Sequence, residues 1–160
     1  MNCLSFDVGG TTVKYGVIDE SYKILNKDKI PTPENEEKFI ESLSNIIQEN
    51  LSKISEVSIA MPGYVDSANN KYLYGPHLQF GIDFLKLSNF TDYKFHLDND
   101  GNVAAYCEYF LNYKNKYSNL IMLTFGTGVG GGIISEGRLL RGRGNAGEIG
   151  HMLTSNDREV

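Results

Sequence analysis

The chain has 160 residues, and its 15 Lys and Arg against 20 Asp and Glu give a net charge of −5. This acidic balance excludes the basic footprint of a nucleic-acid-binding protein. No apolar run approaches the roughly 18 residues of a membrane span, and the N-terminus is unlike a signal peptide. Two cysteines, Cys3 and Cys107, are too few for a disulfide framework or a zinc cluster. The composition predicts a cytoplasmic globular protein of about one domain.

The N-terminal third predicts a meander followed by a helix. Alternating apolar residues and turn signals indicate strands over 2–8, 13–19 and 22–30, and Pro31 and Pro33 then interrupt the chain. A helix is predicted over 34–51, with acidic residues from Glu34 onward in its first turn, where the helix dipole favours them. Its apolar face comprises Phe39, Leu43, Ile46, Ile47 and Leu51.

The remaining elements are shorter. A strand over 54–61 stops at Pro62-Gly63, and 64–84 is predicted as irregular apart from a strand candidate at 72–74 and a helical turn at 83–89. A strand over 94–97, a polar turn over 98–101, a helix over 102–112 and a polar linker over 113–118 follow. The apolar run 120–125 predicts a central strand. A glycine loop over 126–132, a strand over 131–135 and a hairpin strand over 138–140 complete the prediction.

The first candidate site is the turn after strand 2–8. It contains Asp7, Gly9, Gly10, Thr11, Thr12 and Lys14. Glycine amides can approach an anion closely because no Cβ intervenes, and threonine hydroxyls add donors. An aspartate at a strand end suits Mg²⁺ held through water. The pattern is neither a P-loop nor a dinucleotide-binding fingerprint, because a strand and not a helix follows the turn. An ordinary hairpin turn remains the alternative.

The second candidate site is the glycine loop, which includes Thr127 and Gly128 and has five glycines in seven residues. Turn formation alone explains that density poorly, since each glycine costs backbone entropy, whereas amides facing phosphate explain it better. This segment and the first site both have the order strand, glycine-rich turn, strand. The repetition suggests two similar lobes that each offer a hairpin turn to one ligand.

Two further clusters carry polar side chains. Asn99, Asp100 and Asn102 lie where a strand leads into a helix, a place where α/β folds bind ligands, although Asp98, Asn99 and Asp100 are also ordinary helix caps. Glu148 and His151 are three residues apart and can face the same way on a helical turn. A carboxylate with an imidazole suits hydroxyl recognition or metal ligation, but such a pair is often merely solvated.

The combined motifs resemble the ROK family of bacterial sugar kinases and sugar-responsive repressors. They are D-x-G-G-T-x-x-K from Asp7, N-D-x-N from Asn99 with Glu108 after it, G-T-G-x-G-G-G from Gly126, and G-x-x-G-E-I-G-H from Gly144. The resemblance implies an α/β, ribonuclease H-like (actin-like ATPase) fold with two lobes around a cleft. It places an N-terminal lobe at 1–117 and the start of a second lobe at 118–160.

The resemblance also implies roles for the site residues. The activity would be ATP-dependent phosphorylation of a hexose, as in a glucokinase or an N-acetylmannosamine kinase, in a possible homodimer. ATP phosphates and Mg²⁺ would meet Asp7, Gly9, Gly10 and Thr11, supported by Thr12 and Lys14, with Thr127 and Gly128 contributing from the second lobe. The sugar would meet Gly63, Asn99, Asp100, Glu148 and His151. Asp100 would be the general base that removes the hydroxyl proton.

Several departures from the family pattern bear on these expectations. In the family, the histidine matching His151 also ligates zinc with three downstream cysteines, which do not occur here, so zinc is expected in full-length members and not in this chain. The chain is therefore expected to be an N-terminal fragment and a poor or inactive kinase. His77 stands where family glucokinases usually have Asn. It could alter the choice of sugar, or it could be a solvent-facing loop residue.

Two other functions stay open. A sugar-responsive transcriptional regulator of the same family would need a DNA-binding segment, and the first motif begins at residue 7, which favours the kinase. A non-catalytic sugar- or nucleotide-binding module is the third hypothesis. The sequence does not identify the sugar.

Overall fold

The predicted N-terminal meander is present in the computed structural model, which describes residues 2–90, 93–126, 128–155 and 158–159. Its three antiparallel strands are β1 (Cys3–Val8), β2 (Thr12–Ile18) and β3 (Ile24–Pro31). They belong to the first of two compact units, Met1–Asn99 and Asp100–Val160. The lobe boundary expected after residue 117 stays a prediction.

Helix α1 (Glu36–Asn50) begins later than predicted. Asn35 is extended and its side chain accepts the amide of Lys38 at 2.9 Å, so Asn35 caps the helix and Glu34 lies outside it. Four residues of the predicted apolar face are buried: Phe39, Leu43, Ile46 and Ile47. The fifth, Leu51, starts a 3-10 turn (Leu51–Lys53) and is half-buried.

The segment after α1 contains more strand than predicted. β4 (Glu56–Met61) agrees with the strand predicted at 54–61. The strand candidate at 72–74 is confirmed by β6 (Lys71–Tyr74). The rest of the stretch, expected to be irregular, adds β5 (Tyr64–Asp66) and β7 (Ile82–Asp83), and the three strands form an antiparallel sheet ordered β5-β6-β7. Strands of two or three residues, such as β7 and β5, are too short to show alternation, which explains why they were missed. A 3-10 turn (Phe84–Phe90) agrees with the helical turn predicted there.

The main sheet is completed by β8 (Lys94–Asn99) and has the order β3-β2-β1-β4-β8. β1 pairs in parallel with β4, and β4 with β8. This order confirms the ribonuclease H-like arrangement and the α/β class. Alternate residues of β1 and β4 are buried with α1 in one core: Leu4, Phe6, Val8, Val57, Ile59 and Met61. The polar turn predicted at 98–101 is wrong, because Asp98 and Asn99 continue the β8 pairing.

The second unit opens with α2 (Asp100–Glu108), which runs into a π-helical turn (Tyr109–Tyr113). The helix predicted over 102–112 therefore starts earlier and changes its hydrogen-bond pattern before it ends. β9 (Leu120–Phe125), β10 (Val129–Ser135) and β11 (Arg138–Leu139) form a sheet ordered β11-β10-β9, followed by a 3-10 turn (Ile149–His151). β12 (Leu153–Ser155) pairs antiparallel with β13 (Arg158–Glu159).

β9 was predicted to be a central strand, and this is wrong for the sheet that the structure describes. β10 is the middle strand, and β9 lies at the edge with Ile121, Leu123 and Phe125 exposed by 67%, 46% and 78%. An apolar run is compatible with burial on both faces but does not require it. Across the described ranges of the chain, no helix has the length and apolar character needed to cross a lipid bilayer.

Candidate active site

The first glycine turn joins β1 to β2 and is held by Thr32, the residue that follows β3. The Gly9 amide donates to the Thr12 carbonyl at 2.9 Å. Thr32 donates its hydroxyl to the Gly9 carbonyl at 2.6 Å and its amide to the Thr11 carbonyl at 3.0 Å. The amides of Gly10 and Thr11 take no part in these bonds. Sequence reasoning missed Thr32, because its only signal is this contact with a distant turn.

Asp7 and Lys14 face each other directly across β1 and β2 beside that turn. Their Oδ2 and Nζ atoms are 3.5 Å apart, and the side chains are 61% and 69% exposed. An exposed ion pair of this kind is weak, so it leaves the carboxylate available to another cation. A single accessible carboxylate fits a Mg²⁺ ion that keeps most of its water. Thr12 lies next to the turn as the first residue of β2.

Gly63 and Asn99 are brought together in the first unit, as the expected sugar contacts require. The Asn99 side-chain amide donates to the Gly63 carbonyl at 3.0 Å, and Asn99 is 6% exposed. Gly63 has φ of +101°, which favours glycine. A Cβ atom placed on it would lie 2.7 Å from the Gly75 Cα atom, so a second glycine passes against its backbone.

The second glycine turn is shorter than predicted. β10 already begins at Val129, and the Gly126 amide donates to the Gly128 carbonyl at 3.0 Å across the turn. Thr127, expected to contact phosphate, lies outside the described residues. A Cβ atom placed on Gly128 would have no described atom within 4 Å beyond its chain neighbours. Among the described residues, the space beside Gly128 is therefore open to a ligand.

The glycines that follow in β10 have a packing role, which corrects part of the phosphate interpretation. A Cβ atom placed on Gly131 would lie 2.5 Å from the Met122 carbonyl oxygen of β9. One on Gly132 would lie 2.5 Å from the Cβ atom of Ala105 in α2. Side chains at these positions would separate β10 from its neighbours. The high glycine content therefore has two causes, an open turn and a close-packed strand.

In the second unit, Glu148 lies beside His151 and within electrostatic range of Asp100. His151 Nε2 is 3.8 Å from Glu148 Oε2, so the two side chains lie together on one side of the turn, as expected. Burial raises the pKa of Glu148, the charge of His151 opposes that rise, and the negative charge of Asp100 adds to it. Asp100 is the exposed first residue of α2 and accepts the Gly101 amide at 2.8 Å. Two carboxylates and an imidazole can bind several hydroxyl groups.

The described side chains offer an accessible carboxylate suited to Mg²⁺ but no closed zinc site. Within the described ranges, no group of three or more His, Cys, Asp or Glu side chains is placed to hold a metal ion. A closed zinc site needs about four such ligands, and His151 has one carboxylate neighbour at ion-pair distance. The described residues do not form a closed zinc site, whereas a Mg²⁺ ion that keeps most of its water would need only an accessible carboxylate such as that of Asp7.

Comparison with known proteins places these residues in a family. The glucokinase of Streptomyces coelicolor is 32% identical over 154 residues, covering 93% of this chain and 49% of the relative. The N-acetylmannosamine kinase of Vibrio cholerae is 34% identical over 158 residues, covering 95% and 54%. The chain thus spans about half the length of the curated relatives it matches.

A solved structure and a family model agree with these relatives. The ROK family glucokinase from Streptomyces griseus, solved in complex with glucose and AMPPNP, superposes with a TM-score of 0.81 at 31% identity. The superposition covers 95% of this chain and 50% of that one. The model of the ROK family matches residues 3–160 of this chain. The chain therefore belongs to the ROK family.

Proposed function

We propose that this chain is part of an ATP-dependent sugar kinase that transfers the γ-phosphate of ATP to a hexose hydroxyl. The observation that carries the proposal is the grouping of Asp100, Glu148 and His151. Family membership and two sugar kinase relatives support it. The substrate class is a hexose or an N-acetylated hexosamine, because the matched relatives are a glucokinase and an N-acetylmannosamine kinase.

In this proposal Asp100 accepts the proton of the sugar hydroxyl as it attacks the γ-phosphate. A sugar hydroxyl is a poor nucleophile at neutral pH, so a positioned carboxylate contributes to the rate. Asp100 is exposed on the first turn of α2, where it is accessible to a substrate. Asn99, Gly63, Glu148 and His151 would orient the sugar by hydrogen bonds, and phosphoryl transfer depends mainly on such positioning.

The two glycine turns have the complementary role of holding the phosphates. The amides of Gly10 and Thr11, which the turn's own hydrogen bonds do not use, can donate to phosphate oxygens. Thr12 and Lys14 would support that turn, and Thr127 and Gly128 would contribute from the second turn. Mg²⁺ held near Asp7 supplies neutralisation of the phosphate charge when it is bound.

The test is ADP release by the complete gene product with a panel of hexoses that includes glucose and N-acetylmannosamine. Asp100→Asn should lower kcat by about 10²–10⁴ while the far-UV circular dichroism spectrum is retained. Asp28→Asn, the same change on exposed strand β3, is the matched control and should leave kcat unchanged. Turnover by Asp100→Asn close to that of the wild type would refute the assignment. Sugar binding without any ADP release would favour a regulator or a non-catalytic module.

A further inference from the structure

His77 packs directly against the first glycine turn. A Cβ atom placed on Gly10 would lie 2.8 Å from both Cβ and Cγ of His77 and 3.2 Å from its Nδ1 atom. The imidazole therefore covers the Cα atom of Gly10, and the residue is exposed to solvent. An exposed ring with a hydrogen-bond donor thus lies beside the turn whose amides are proposed to bind phosphate.

The backbone on either side of His77 is held in place. The next residue, Leu78, is 2% exposed within the core of the first unit, and its carbonyl accepts the hydroxyl of Tyr72 at 3.3 Å. Two residues earlier, Gly75 has no room for a side chain, because a Cβ atom there would lie 2.5 Å from the Pro62 carbonyl oxygen. An exposed polar side chain on a fixed backbone is well suited to contact a ligand.

The same loop also reaches the expected sugar contacts. Gly75 lies against Gly63, and the Gly63 carbonyl accepts the side-chain amide of Asn99. Within the first unit, the loop from Gly75 to Leu78 therefore contacts Gly10 through His77 and Gly63 through Gly75. His77 thus lies in a loop that also contacts Gly63, whose carbonyl accepts a hydrogen bond from the Asn99 side chain.

We infer that His77 donates a hydrogen bond to the terminal phosphate of the bound nucleoside triphosphate. This inference rests on the proposed function, because it takes the first glycine turn as a phosphate site. The terminal phosphate is the relevant one, since the group transferred to the sugar is the one nearest the sugar contacts. An imidazole N–H to a phosphate oxygen is a charge-assisted hydrogen bond, which is stronger than a neutral one. The β-phosphate is expected to depend on the turn amides instead.

The test is isothermal titration of the complete gene product with Mg-AMPPNP and, separately, with Mg-ADP. His77→Phe keeps a ring against Gly10 but removes the donor, and His77→Gln keeps a donor. We expect His77→Phe to weaken AMPPNP binding roughly 10- to 100-fold and ADP binding less than about threefold. His77→Gln should retain most of the AMPPNP affinity. The melting temperatures of both variants should stay within about 2 °C of the wild type.

A matched control is His96→Phe, which changes another exposed histidine of the first unit, one that lies 3.3 Å from Glu56, and should alter neither affinity. Unchanged AMPPNP affinity in His77→Phe would overturn the inference. Equal losses for both nucleotides would also overturn it, because they would mean that His77 only shapes the turn. A wild-type protein that binds neither nucleotide would instead refute the proposed function on which the inference depends.

Discussion

Gly63 should be intolerant of any side chain for reasons that can be worked from its surroundings. Its φ of +101° is unfavourable for other residues and costs about 1–3 kcal/mol. A Cβ atom there would also lie 2.6 Å from the Tyr74 carbonyl oxygen and 2.7 Å from the Gly75 Cα atom. Both contacts are with backbone, so relieving them requires a main-chain shift of about 1–3 kcal/mol. Gly63→Ala is therefore expected to destabilise the protein by about 2–6 kcal/mol.

The measurement is thermal unfolding followed by far-UV circular dichroism, in which the melting temperature should fall by at least about 4 °C. Gly81→Ala is the matched control, because its added Cβ atom would lie 3.4 Å from the Tyr72 carbonyl oxygen, its nearest neighbour among the described residues, which is an ordinary contact. That control should change stability by less than about 0.5 kcal/mol. A second readout is the KM for sugar, which should rise because Asn99 is bonded to the Gly63 carbonyl. Equal melting temperatures for the two variants would refute the reasoning.

Two further predictions separate function from packing and test the charge of the expected sugar site. Gly128→Ala should leave the melting temperature within about 2 °C and raise the KM for ATP about tenfold, whereas Gly132→Ala, whose added methyl would meet Ala105, should lose at least about 2 kcal/mol of stability. An unfolded Gly128→Ala variant would contradict this. Burial raises the pKa of the Glu148 carboxyl group above its ordinary value of 4.5. The group therefore contributes stability that is fully present below pH 4.5 and is lost as the pH rises through the raised pKa. Urea unfolding should therefore find Glu148→Gln at least as stable as the wild type at pH 7, with a difference that shrinks on acidification; a variant less stable only at neutral pH would contradict the sign.

The elements that sequence predicted well are those with strong periodicity. Helix α1 buries Phe39, Leu43 and Ile47 completely, because apolar residues at helical spacing have only one way to reach the core. The predicted start of the helix was wrong because the start depends on which side chain caps it. Asn35 does so by accepting a hydrogen bond from the Lys38 amide. The meander was also predicted, since its turns follow the alternating strands closely.

The elements that sequence missed depend on distant partners. Strands β5 and β7 are too short to carry a pattern and exist because each pairs with β6. Gly132 was interpreted as part of a phosphate loop because the sequence shows a glycine but not the Ala105 methyl beside it. The same reason explains why a sequence pattern could not single out Thr32 as a support of the first turn.

The family motifs predicted the candidate site residue by residue, and the structure shows which of those residues lie together. Glu148 and His151 were expected to face the same way on a helical turn, and the structure places their Oε2 and Nε2 atoms 3.8 Å apart. The link from Gly10 through His77 to Gly63 was not predicted. It depends on backbone approaches between glycines, which leave no pattern in the chain beyond the glycines themselves. The catalytic and binding roles of these residues stay predictions until the variants are measured.

The exposed face of β9 has a practical consequence for every stability measurement on this chain. Ile121, Leu123 and Phe125 are exposed on β9, which pairs with β10 alone among the described strands. This edge therefore offers apolar surface and main-chain groups to a second molecule. Association through that strand would stabilise the folded state by mass action, so the melting temperature would increase with protein concentration. The comparison of Gly63→Ala with Gly81→Ala should accordingly be repeated over a dilution series. The difference in melting temperature between the two variants, extrapolated to low protein concentration, is the value for the monomer.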